Sequence, residues 1–61
     1  MINGSLTVFE YIEDYDNPGL FFDARIERLK DAVEFYNQEY GTNYSPEQTV
    51  YKYFQSKQND V

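Results

Sequence analysis

From Leu20 to Tyr40 the chain runs without Pro or Gly, and its apolar positions Phe22, Ile26, Leu29, Val33, Tyr36 and Tyr40 recur at spacings of 4, 3, 4, 3 and 4. At about 100° per residue these six share a stripe roughly 80° wide, which predicts one long helix burying a narrow seam against its neighbours. The turn Asp16-Asn17-Pro18-Gly19 precedes this helix, and Gly41 supplies a left-handed cap after it. A second helix is expected at Ser45-Pro46-Glu47-Gln48, where Ser45 reads as N-cap, Pro46 as the first helical residue and Gln48 as half of a capping box. It should run to about Gln55 or Ser56 and bury Val50, Phe54 and part of Tyr51 or Tyr53. Residues at about 1–4 and 57–61 read as frayed ends.

Leu6 to Tyr15 supports two readings. Val8, Tyr11, Ile12 and Tyr15 match helical spacing, with Thr7 and Glu10 placed as a capping box, while Thr7, Val8, Tyr11 and Ile12 also favour strands. A short helix is the preferred reading, and one arm of a hairpin closed by the Asp16–Gly19 turn is the alternative. The expected fold is therefore all-α, a small three-helix arrangement around a long central helix, with α+β carrying an N-terminal β-hairpin as the alternative.

A chain of 61 residues holds one domain, and at this size a single core seldom yields more than about 3 to 5 kcal/mol. With no Cys and no His, disulfides, thiolate or imidazole metal sites, and nucleophile or base schemes that need those residues are excluded. Seven Tyr and five Phe are more rings than so short a chain can bury, so some are expected at the surface. The N-terminus lacks the pattern of a secretory signal and no stretch approaches a membrane span, so the expected location is the cytoplasm. The sequons at Asn3 and Asn43 then carry no glycan.

Charge narrows the choice of partner. Eleven acids against five bases give a net charge of −6, and the first 24 residues hold five acids and no base. Such a field repels phosphate backbones, which argues against direct nucleic-acid binding and favours a protein partner with a basic surface. Asp14, Asp16 and Gly19 match three positions of a calcium loop. Pro18, Phe22 and Arg25 occupy positions that would have to be ligands, so a turn is the better reading. No glycine-rich phosphate loop is present, and a chain this short leaves little room for a cleft with paired carboxylates. Neither enzymatic activity nor a cofactor is expected.

Two faces of the long helix are the candidate partner-binding surfaces. Asp23, Glu27, Asp31 and Glu34 project about 100° to 180° from the seam as one acidic face, reinforced by Glu10, Glu13, Asp14 and Asp16. The plainer reading is a solvated face with local pairing, such as Arg28 with Asp31. Phe21, Arg28, Ala32 and Phe35 lie on a flank outside the seam, where Phe21 and Phe35 form an aromatic patch with Tyr11 and Tyr15 unless another helix covers them. Short, acidic chains of this character resemble the small inhibitors that bacteriophages and mobile elements direct at host proteins. The first expectation is thus a non-enzymatic protein-binding module that inhibits or modulates a host protein. The alternatives are a DNA mimic competing for the cationic groove of a nucleic-acid enzyme, and a homodimer built on the seam or the Phe35 flank.

Overall fold

The computed structural model describes residues 6–59, as three helices: α1 (Val8–Glu13), α2 (Phe22–Tyr40) and α3 (Pro46–Asn59). The fold is all-α, and no strand occurs among the described residues. The hairpin alternative fails at Thr7. Its hydroxyl accepts from the Glu10 amide at 3.2 Å while the Glu10 carboxylate accepts from the Thr7 amide at 3.1 Å, so two otherwise unpaired helix-start donors are satisfied reciprocally. α1 is shorter than the Leu6–Tyr15 segment expected to form it. Thr7 caps one end, and at the other the amides of Asp14, Tyr15 and Asp16 turn to carbonyls three residues back.

α2 starts two residues later than its apolar pattern suggests, because the Leu20 amide bonds the Asn17 carbonyl and closes a turn first. It ends where expected, on Gly41 at φ 67°, a left-handed conformation in which a side chain would be strained. Asn37 secures the exit from the helix. Its Oδ1 accepts from the Thr42 hydroxyl and the Tyr44 amide, and its Nδ2 donates to the Tyr44 carbonyl at 2.9 Å. Ser45 then caps α3 through a long 3.4 Å bond from the Gln48 amide. α3 continues to Asn59, past the expected end at Gln55 or Ser56, and Lys57, expected to fray, pairs with Glu13 of α1 at 2.8 Å. The expectations for residues 1–4 and 60–61 lie outside the described residues.

The chain from Leu6 to Asp16 runs antiparallel to α2, because the Tyr36 hydroxyl donates to the Leu6 carbonyl at one end and Arg25 grips Asp16 at the other. α3 is also antiparallel to α2, with Tyr44 beside Asn37 and Phe54 beside Phe22. The core between the helices is Val8, Ile12, Leu29, Ala32, Val33, Tyr36, Val50 and Tyr53. Of the α2 seam, Leu29, Val33 and Tyr36 are buried and Ile26 and Tyr40 half-buried, while Phe22 is 58% exposed. Ala32, assigned by spacing to an outer flank, is fully buried because α1 packs on that side. Between the two candidates on α3, Tyr53 is the buried ring and Tyr51 stands at the surface.

Candidate protein-binding surface

The helical repeat divides the sides of α2 between its two neighbours. Arg28, Ala32, Phe35 and Glu39 lie toward α1 and the turn after it, Phe22, Ile26 and Lys30 lie toward α3, Arg25 reaches between the first loop and α3, and Asp23, Glu27, Asp31 and Glu34 face away from both neighbours. All four of these acids are exposed. Only Glu27 has a cationic partner, Lys30 at 3.7 Å; Asp23, Asp31 and Glu34 form no ion pair among the described residues. The expected Arg28–Asp31 pair does not form, because Arg28 turns the other way and donates to the Tyr15 carbonyl. At about 1.5 Å per residue, the carboxylates step along the axis by roughly 6, 6 and 4.5 Å.

The acids expected to reinforce this row are partly used elsewhere. Glu10 belongs to the α1 cap, Glu13 holds Lys57, and Asp16 is largely internal with its side chain 8% exposed. Asp16 accepts from Arg25 Nε and Nη2 at 2.9 and 2.7 Å and from the Tyr53 hydroxyl at 2.9 Å, tying the first loop to α2 and α3. The Arg25 hydrogen bonds hold the Asp16 carboxyl below its ordinary range against the opposing effect of burial, and Tyr53 adds to the lowering. Asp16 in return raises the Arg25 guanidinium. Burial first, and then the bond to Asp16, push the Tyr53 phenol well above its ordinary value. Asp16 of the calcium-like sequence is thus engaged by Arg25 and Tyr53, and among the described residues no group of three or more His, Cys, Asp or Glu is placed to hold a metal ion.

Tyr11 and Tyr15 are half-buried, not free at the surface. Their rings stack at 5.5 Å, and Tyr11 meets Tyr36 edge-on at 5.3 Å and Tyr40 at 6.1 Å. Tyr11 also donates to Glu39 at 3.2 Å; the Tyr15 phenol beside it, burial and the Glu39 carboxylate together raise its pKa. Phe35 leans on Tyr15 at 6.1 Å and stays 48% exposed, so the flank is partly covered by α1 and partly open. Phe21 is 89% exposed, but it lies 14 residues from Phe35, about 21 Å along the helix, and does not join that cluster.

A feature that sequence reasoning missed lies on the α3 side. Phe22, Ile26, Val50, Tyr51 and Phe54 line a groove of about 400 Å³ built by α2 and α3 alone, with Lys30, Glu47 and Gln55 on its rim. Phe22 and Phe54 pack at 5.1 Å, and the Arg25 guanidinium lies over the Phe54 ring at 5.1 Å. The wall on the α2 side continues outward into Asp23 and Glu27. The exposure of Phe22 carried the signal: a seam position at the end of α2 is left open when a six-residue α1 covers only the other side. Comparison with the models of known protein families, with curated proteins and with solved structures gives no match to this chain. No helix among the described residues is long and apolar enough to cross a membrane.

Proposed function

We propose that this chain is a non-enzymatic, acidic protein-binding module that inhibits or modulates a partner by occupying a basic surface on it, in the manner of small proteins that a bacteriophage or mobile element directs at its host. The observation that carries this reading is the row of Asp23, Asp31 and Glu34, exposed and without cationic partners, beside apolar surface at Phe22 and Tyr51. Apart from Lys30 at its border, which pairs with Glu27, this face carries one sign of charge, a field that attracts a basic surface. Exposed rings beside a one-signed field supply the two ingredients of a specific interface, apolar anchors and electrostatic steering.

Complex formation tests this reading. The protein used as bait should retain a stoichiometric protein from lysate at low salt and lose part of it at moderate salt, since the charged contacts are screened. Retention of nothing at either salt contradicts the proposal.

DNA mimicry is a second reading, in which the carboxylate row alone competes for a cationic nucleic-acid groove. Its support is the regular axial spacing of four acids on one exposed face. Changing Glu27, Asp31 and Glu34 together to Lys abolishes inhibition under this reading; unchanged inhibition eliminates it. For a homodimer through the seam the support is weaker, because Leu29 and Val33 are buried within the chain, whereas Phe35 on the other flank stays exposed.

A further inference from the structure

We infer that the groove between α2 and α3 receives an amphipathic helix of the partner whose apolar anchors are flanked by Lys or Arg. The inference rests on the protein-binding reading and specifies what that surface holds. Three observations select this occupant.

The groove is lined by apolar side chains of two helices, whose own backbone groups are bonded within the helices. An extended segment laid there would find no backbone partners and would bury unpaired amides and carbonyls, each at a cost. A helix satisfies its backbone internally and presents side chains only. The groove follows α2 from Phe22 to Lys30, eight residues or about 12 Å, and this length matches anchors at i, i+4 and i+7, which span about 10.5 Å.

The charge of the rim fixes the sign of the flank. Among the described residues Lys30 is the one cation lining the groove, and it sits 3.7 Å from Glu27; Arg25, over the Phe54 ring at its end, is paired with Asp16. Glu47 stands on the α3 wall, and Asp23 and Glu27 edge the α2 wall. An acidic helix would meet Glu47 on the α3 wall and, past Lys30, Asp23 and Glu27 on the α2 side, whereas a basic flank long enough to reach past Lys30 meets those two carboxylates. A second copy of this chain is disfavoured on the same ground, since each copy carries a net charge of −6.

Three synthetic peptides of equal length probe the groove: one with Leu and Phe at i, i+4 and i+7 flanked by Lys and Arg, one with the same anchors flanked by Glu, and a scrambled version of the first. Binding is followed by chemical-shift changes in the isotopically labelled protein and by titration calorimetry. The basic amphipathic peptide should shift Ile26, Val50, Tyr51 and Phe54 together with Asp23 and Glu27, and bind at least about tenfold more tightly than either control. Tyr51→Lys, at an exposed position that the fold does not need, should weaken it by a similar factor with an unchanged far-ultraviolet spectrum. Equal affinity for the acidic peptide, or shifts confined to the Phe35 flank, overturns the inference. Capture of a protein partner that Tyr51→Lys leaves at full strength also overturns it, while the protein-binding reading survives.

Discussion

The Tyr53 hydroxyl donates a 2.9 Å hydrogen bond to the same Asp16 oxygen that Arg25 Nη2 holds at 2.7 Å, so residues 37 positions apart meet on one carboxylate. This contact closes the end of the molecule where loop, α2 and α3 converge. It also places an ionised group in a largely covered setting, where its loss cannot be made good by water.

Asp16→Asn should lower the unfolding free energy by about 1.5 to 3 kcal/mol, the range for hydrogen bonds to charged groups, in a fold whose total is on the order of 3 to 5 kcal/mol. Because the folded-state pKa of Asp16 is depressed, its contribution is complete above the ordinary value of 3.8 and is lost as pH falls through the lower folded value. Chemical denaturation across acidic pH should therefore show a steeper loss of stability in the wild type than in Asp16→Asn. Parallel acid limbs would show that Asp16 is not ionised and clamped as described.

At the alkaline end the sign reverses. Tyr53 and Tyr36 are raised above 10.0 mainly by burial, so the stability tied to their protonated phenols is complete below that value and disappears as pH rises through the folded values. Thermal unfolding above about pH 10 should show falling stability, less steeply in Tyr53→Phe. The same comparison in the acid range should show a smaller depression of the Asp16 pKa in that variant.

Asn37 is the post on which the α2–α3 connection hangs. Asn37→Ala removes three side-chain hydrogen bonds to Thr42 and Tyr44 and should cost about 1 to 2 kcal/mol. Gly41→Ala should cost a comparable amount, about 1 to 2 kcal/mol, through its positive φ, since the space around a new Cβ is open. Urea midpoints report both. An unchanged midpoint in Gly41→Ala would mean that the left-handed cap is not required.

Two large apolar residues should behave oppositely. Ile12→Ala, at a fully buried site, is expected to cost about 2 to 5 kcal/mol and leave little folded protein. Phe21→Ala, at the most exposed ring, should change stability by no more than about 0.5 kcal/mol. A large loss in Phe21→Ala would indicate that this ring has an intramolecular role.

The three helices were legible because each carries local signals that agree: a seam on α2, a capping box on α1, Ser-Pro at the start of α3, and Gly41 between them. The acidic row was legible for the same reason, since the helical repeat alone puts Asp23, Glu27, Asp31 and Glu34 on one face. What depends on which helix covers which side was not. Spacing could not tell that Ala32 faces α1, that Tyr53 and not Tyr51 points inward, or that Tyr11 and Tyr15 stack into the molecule. Nor could it show that Asp16, one acid among many in the sequence, is taken up by Arg25 and Tyr53. The α2–α3 groove belongs with these, because its facing residues are far apart in the chain, from Lys30 and Glu47 to Phe22 and Phe54.

In the proposed function, the exposed carboxylate row of α2 helps dock this protein on a basic partner. Quantitative capture from lysate, with the wild type and the Glu27→Lys/Asp31→Lys/Glu34→Lys variant used as bait in parallel, tests it most directly. Each acid-to-Lys change adds two charges, so three of them bring the net charge from −6 to 0 while touching only exposed positions. A stoichiometric protein is expected on the wild type and should be lost on the variant, with the helical spectrum unchanged. A partner held equally by both baits, or by neither, would contradict it.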